Sequence, residues 1–343
     1  MIDEISYTKE WIKSRRSLFF KNDPSILEKT IHALSLLEKI SKISLSFIFK
    51  GGTSLLLLLP DFKRFSIDID IIFEGDKEEL EKKLIKIVDE KIFLKMEENK
   101  RNITKIPKSH YKFQFYSKIN NRMDNILLDV LFEKNKYPKT IIKPIKHPLI
   151  KDIGDPSKVT IPSINSILGD KLTAFAPKTT GIKYGIGKNT EIIKQLFDIG
   201  TLFNYCSDLK EVKESFIKIC ENEINYRDTS ITTNDVLNDI FNTSIILGMN
   251  SKKSPSEFNE LKLGTTSFAS FAFGNRYNIT NSINAASKAA YISKMLLLNK
   301  ESIEKYNQKN LSKIFIEEVE YNRLNKIKKT DPEAFYYFYK ACI

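Results

Sequence analysis

Apolar residues recur at helical spacing through residues 25–43, where Leu27, Ile31, Leu34, Leu37 and Ile40 share one face, and a similar pattern covers 7–20. Ser46 to Lys50 reads as a short strand ended by Gly51-Gly52, and Thr53 to Leu59 as a short buried helix. Pro60 to Ser66 reads as a loop. Ile67 to Phe73 alternates Ile with Asp and is the cleanest strand in the chain; a charged amphipathic helix is expected over 77–98. Tyr111 to Ile119 and Ile126 to Phe132 read as strands of an antiparallel hairpin with its turn at Asn120 to Asn125. Residues 134–151 contain three prolines, six lysines and no acid, and are expected to be extended. Beyond residue 163 the pattern turns helical, with helices expected near 163–176, 190–206, 208–225, 233–248, 280–299, 301–313 and 331–341. The expected division is an α/β domain over 1–160 and a helical domain over 161–343, with the boundary near 155–165.

The chain has 343 residues and a formal net charge of +12, which favours polyanionic partners over cationic ones. A Lys-rich proteome would give the same excess. Three cysteines without CxxC spacing and three scattered histidines make a structural zinc site an unattractive reading and suit a reducing compartment. The first residues are polar and acidic, unlike a secretory signal, and the apolar run Leu55 to Leu59 is far too short to span a bilayer. A cytoplasmic location and no membrane partner are expected.

Candidate chemistry centres on acids. In a strand, side chains two apart share a face, so Asp68 and Asp70 lie together with Cα atoms roughly 6–7 Å apart. Such a pair suits Mg²⁺ or Mn²⁺, hard ions that take oxygen ligands; an ordinary wet strand face has the same pattern. Upstream, Gly51-Gly52-Thr53-Ser54 follows a strand and opens a helix, which suits main-chain contact with phosphates or simply a capped turn. It is not a Walker A loop. Asp129 lies inside the apolar strand Leu127 to Leu131, where a charge needs a partner or a metal. Lys171 falls inside the apolar stripe of Ile164, Ile167, Leu168, Leu172 and Phe175, so it either snorkels or meets a buried anion. Asp198 lies four residues after Lys194 at the edge of an apolar face, where a surface ion pair is equally compatible. Residues 95–122 carry eight Lys or Arg against two acids, interleaved with Tyr111, Phe113, Phe115 and Tyr116. That composition suits RNA phosphates and bases, although the aromatics also suit strand core.

The stretches Lys50-Gly51-Gly52-Thr53-Ser54-Leu55 and Arg64-Phe65-Ser66-Ile67-Asp68-Ile69-Asp70 resemble the KGGTSL…R-x-S-x-D-I-D pattern of the AbiEii/AbiGii toxins, nucleotidyltransferases of type IV abortive-infection and toxin–antitoxin systems that include the MenT-like toxins. The resemblance is dense over 50–73 and collinear to about residue 205. It implies an α+β, polymerase-β-like nucleotidyltransferase fold: a mixed sheet flanked by helices, followed by a helical C-terminal lobe completing the cleft for NTP and acceptor. It implies Mg²⁺- or Mn²⁺-dependent nucleotide transfer from an NTP to RNA, a tRNA in particular, and a cognate antitoxin. It places Ser66, Asp68 and Asp70 on the catalytic strand. Lys171, in Gly169 to Phe175, matches the family's D-K-L-x-A lysine, which contacts the triphosphate. Asp198 matches the last acid of its K-D-x-x-D-L helix, whose first acid is Gln195 here. The combined expectation is two-metal in-line transfer. Asp68, Asp70 and Asp129 hold metal, Gly51, Gly52, Thr53, Ser54, Arg64 and Lys171 hold phosphate, and Asp129 assists the attacking hydroxyl. Two rivals are a small-molecule nucleotidyltransferase of the antibiotic-modifying kind, which needs an acidic pocket for a cationic acceptor, and a degenerate RNA- or protein-binding module, for which Gln195 is a weak argument.

Overall fold

The structure is a computed structural model that describes all residues except 20–22, 62, 89–90, 101–105, 228–229, 251–253, 275 and 308–310. The chain divides into two compact units. The first comprises Met1–Asn135, Thr140–Pro162 and Phe271–Asn275; the second comprises Lys136–Lys139, Ser163–Ser270 and Arg276–Ile343. No helix among the described residues is long and apolar enough to cross a membrane.

The first unit opens with α1 (Lys9–Arg15) and α2 (Pro24–Lys42), the latter started by the Asp23 carboxylate accepting from Ser25 N–H and by Pro24 in its first turn. Then follow β1 (Phe47–Lys50), α3 (Gly51–Leu58), β2 (Ile69–Phe73), α4 (Lys77–Leu84), β3 (Lys95–Glu98), β4 (Lys108–Ser117), β5 (Arg122–Leu131), β6 (Thr140–Pro144) and β7 (Lys158–Pro162). Among the described residues the strands form one mixed sheet in the order β3-β4-β5-β2-β1-β7-β6. β2 runs antiparallel to β1 and parallel to β5. On β4, Tyr111, Phe113, Phe115 and Ser117 are buried, while His110, Lys112, Gln114 and Tyr116 alternate with them. α2 covers the buried face, where His32 stacks on Phe115 at 3.8 Å between ring centres. Buried Glu28 accepts from Ser117 Oγ at 2.5 Å and from Lys118 N–H at 2.7 Å, tying α2 to the end of the hairpin.

The second unit contains α5 (Ile164–Ala174), α6 (Asn189–Tyr205), α7 (Leu209–Arg227), α8 (Thr233–Met249), α9 (Pro255–Phe268), α10 (Ile279–Leu297) and α11 (Pro332–Cys342). Reciprocal capping boxes start α8 (Thr232 with Asp235) and α10 (Asn278 with Asn281). The alanines at 285, 286, 289 and 290 of α10 are all buried, and α10 packs on α6 and α8. The α+β class is the one expected, and the expected helices at 163–176, 190–206, 208–225, 233–248, 280–299 and 331–341 all form within a few residues.

Three expectations are corrected. The single helix over 77–98 ends at Leu84, and residues 95–98 instead form β3, because Met96 and Glu98 pair with Phe113 and Tyr111 while Phe93 is buried against Phe113 and His32. Residues 301–307 are not helical: Glu304 N–H donates to the Tyr291 hydroxyl and Tyr306 N–H to the Tyr337 hydroxyl, which take the place of helical carbonyls. The remainder of that expected helix lies outside the described residues at 308–310, with one short 3₁₀ turn at Leu311–Lys313. The hairpin turn sits at residues 118–121, with Asn121 at φ +51°, not at 120–125. β6, β7 and α9 were not anticipated.

Candidate active site

The sheet register sets the geometry of the acids. Lys50 on β1 is opposite Asp70 on β2, Asp70 is opposite Asp129 on β5, and Asp129 is opposite His110 on β4. Register partners share a face, so Lys50, Asp70, Asp129 and His110 form one polar row across four strands. Adjacent strands lie about 4.8 Å apart, which sets two carboxylates directly side by side. Like charges so placed are destabilising unless compensated. Lys50 supplies one positive charge, and His110 Nδ1 lies 2.7 Å from Asp129 Oδ1. Asp68 sits two residues before Asp70, exposed and just outside β2. The local excess is therefore negative.

The glycine turn packs onto this row. Gly51 has φ +76°, and a Cβ there would lie 2.0 Å from Asp70 Oδ2. Only glycine meets both conditions. The first turn of α3 thus abuts the Asp70 carboxylate, a favourable pairing of a negative group with a helix N-terminus. At Gly52 an added Cβ would meet Arg64 Nη2 at 2.4 Å and Ser66 Oγ at 2.8 Å. Buried Arg64 donates from Nη1 to the Phe65 carbonyl at 3.1 Å, and its backbone bridges to Ala272. Thr53 Oγ1 donates to the Asp68 carbonyl at 2.5 Å, and Ser54 Oγ donates to the Gly51 carbonyl at 2.8 Å. Both side chains are fully buried. Their hydroxyls brace the turn and the acidic strand.

Among the described residues no three carboxylate, imidazole or thiol side chains are gathered closely enough to hold a metal ion. The expected three-carboxylate cage is therefore not preassembled. The donors nevertheless fit Mg²⁺ or Mn²⁺. All are hard oxygens, Asp129 carries the outer hydrogen bond typical of a ligating carboxylate, and Mg²⁺ is usually held by one or two carboxylates with substrate phosphates completing its shell.

Lys171 and Asp198 lie in the second unit and meet each other. Lys171 Nζ is 2.9 Å from Asp198 Oδ2 and donates to Gln195 Oε1 at 3.0 Å. Lys171 is 8% exposed and Asp198 0%. The lysine in the apolar stripe of α5 thus has a buried anion on α6. Gln195 serves as a neutral acceptor of the same ammonium group. Lys194 pairs with Glu191 at 2.7 Å.

The sequence reading missed His110 and Lys50. His110 was detectable in principle, because it alternates onto the polar face of β4. A turn centred at 120–125 pairs Asp129 with Tyr116 and hides the contact.

A family model described as the nucleotidyl transferase AbiEii toxin of a type IV toxin–antitoxin system matches residues 35–265. Two crystal structures from Helicobacter pylori are similar. JHP933 is 15% identical, covers 79% of this chain and 95% of its own, and has a TM-score of 0.45. A provisionally assigned nucleotidyltransferase is 15% identical, covers 80% and 99%, and has a TM-score of 0.46. No curated protein matches significantly in sequence.

Proposed function

This chain belongs to the AbiEii family of nucleotidyltransferase toxins, and on that premise we propose that it transfers a nucleotide from an NTP to an RNA acceptor, a tRNA in particular. The observation that carries the proposal is the side-by-side placement of Asp70 and Asp129 against the positive-φ turn at Gly51.

The acceptor hydroxyl attacks the α-phosphorus of the NTP. One P–O bond forms, the α–β bridging P–O bond breaks, and pyrophosphate leaves. Asp129, oriented by His110, takes the hydroxyl proton. The main-chain N–H groups of the α3 first turn hold phosphate oxygens, while Thr53, Ser54, Arg64 and Ser66 keep that turn fixed against Asp68 and Asp70. Asp68, Asp70 and Asp129 would hold divalent ions, Mg²⁺ or Mn²⁺, which when bound would supply charge neutralisation for a two-metal in-line transfer. Lys171, buried in the second unit, has its ammonium group fixed by Asp198 and Gln195. A type IV system also supplies an antitoxin as partner.

Incubation with each α-labelled NTP, Mg²⁺ and total tRNA, beside an aminoglycoside as competing acceptor, tests the reading. Label on tRNA is expected. Label on the aminoglycoside, or on neither, overturns it.

A further inference from the structure

A cavity of about 470 Å³ in the first unit lies beside the C-terminal end of α3. The glycine turn is at the other end of that eight-residue helix, roughly 12 Å along its axis. Lys63, Lys143 and Lys146 line the cavity, and Phe19, His147 and Phe273 form its aromatic wall. Among the described residues none of the three lysines lies within 4.0 Å of a carboxylate oxygen, although Lys146 acts electrostatically on Asp152.

Two bland explanations account for part of the charge. β6 is an edge strand, and lysine on an edge deters pairing with another sheet. That explains Lys143 but not Lys63 or Lys146, which lie in loops outside the strands. Alternatively the lysines answer the carbonyls at the end of α3. A helix C-terminus carries only about half a negative charge. Asp61, also in the lining, adds one more. Three ammonium groups against about 1.5 negative charges in the lining leave the cavity positive, with Asp152 offsetting part of Lys146 from outside the lining.

The aromatic wall makes the site more than a point-charge trap. His147 and Phe19 are nearly parallel, at 14° with ring centres 5.8 Å apart, and Phe273 meets Phe19 edge-on at 5.3 Å. Leu149 N–H donates to His147 Nδ1 at 3.2 Å, which leaves the ring proton on Nε2. Burial pushes the His147 pKa down to about 4, so the ring is neutral near pH 7. A flat neutral donor beside three cations matches a base and its flanking phosphates, the combination used for single-stranded nucleic acid.

We propose that this cavity binds a single-stranded phosphodiester segment of the RNA acceptor, with Lys63, Lys143 and Lys146 on phosphates and a base against the His147–Phe19 wall. The proposal rests on the RNA-acceptor reading above and adds a binding site outside the carboxylate row.

The test is fluorescence anisotropy of a labelled single-stranded RNA of about 12 nucleotides with the full chain, across a salt series. Lys143→Glu with Lys146→Glu is expected to weaken binding at least tenfold. The milder pair Lys143→Gln with Lys146→Gln is expected to flatten the log–log salt dependence by about 0.7 per lost contact. His147→Leu is expected to weaken binding about fivefold or more with the salt slope unchanged. Circular dichroism and thermal midpoints show whether each variant is folded, and the glutamine pair is the fallback for the charge reversal. Wild-type affinity and slope in the folded variants, or no RNA binding by the wild type, overturns the site. Poly-glutamate displacing RNA at equal strength overturns RNA in favour of an acidic protein partner. If the lysines control RNA binding but no label reaches RNA, the site stands and the transferase reading falls. If label reaches RNA equally well in the charge-reversed variant, the reading stands and the site falls.

Discussion

Replacing Gly51 with alanine perturbs the centre of the site through a single carbon. The new Cβ would sit 2.0 Å from Asp70 Oδ2 and 2.9 Å from Asp70 Cβ, whereas ordinary contact begins at 3.4 Å. The carboxylate oxygen must therefore retreat by about 1.4 Å, the difference of the first and last of those distances, and rotation about the final bond cannot relieve the contact at Asp70 Cβ. Misplacing a reacting group by 1 Å costs about a hundredfold in rate. The left-handed backbone adds roughly 1–2 kcal/mol of strain. Gly154 provides the control, with φ +67° and nothing within 4 Å of an added Cβ. Gly154→Ala should carry the backbone strain alone, a loss of about 2–4 °C per kcal/mol in thermal midpoint for a unit of this size. Gly51→Ala should lose somewhat more stability and about a hundredfold in label transfer, while Gly154→Ala keeps wild-type transfer. Transfer by Gly51→Ala within threefold of Gly154→Ala would refute the reasoning.

Asp198→Ala strands a buried ammonium group and should cost about 3–5 kcal/mol in urea unfolding, whereas Lys171→Met with Asp198→Leu should recover most of that loss; equal stability of the single and double variants would count against the pair. His110→Ala should lower kcat about 10- to 100-fold with a small change in NTP KM, and His110→Asn, which keeps a donor, should restore part of it in steady-state transfer assays. Burial pushes the His32 pKa down to about 4, and a carbonyl contact from Glu28 opposes the shift only partly. Because the folded value lies below the unfolded one near 6.5, the unfolded chain binds the proton first, and stability falls as pH drops from about 6.5 toward 4. The loss between pH 6.5 and 5 is on the order of 2 kcal/mol for His32, with His147 acting in the same direction; the difference between urea midpoints at the two pH values should shrink in His32→Gln and leave the part due to His147.

Local chemistry was legible in the sequence, and register was not. The Asp70 strand and the glycine turn declare themselves through a period of two and a strand–Gly–helix junction, although the strand begins at Ile69 and leaves Asp68 outside it. Lys171 stood out because an ammonium group in an apolar stripe demands an anion, but only the packing of α5 on α6 identifies Asp198, with Gln195 beside it, as its partners. The His110–Asp129 contact depended on the hairpin centre, and the polar run around residue 120 does not locate that centre to better than a few residues. β3, β6 and β7 are as short as β1 and β2, but no strand–Gly junction or Ile–Asp alternation marks them in the sequence. The tyrosine hydroxyls that capture N–H groups at 304 and 306 lie on distant helices, so no local pattern there opposes a helix.

The central claim is that Asp70 and Asp129, paired across β2 and β5, carry nucleotide transfer. Its most direct measurement is the rate of α-label transfer from NTP to RNA by the wild type, Asp70→Asn and Asp129→Asn, each shown folded by circular dichroism. The account predicts that wild-type transfer falls more than about a hundredfold in either variant. Transfer at the wild-type rate in either variant would contradict it.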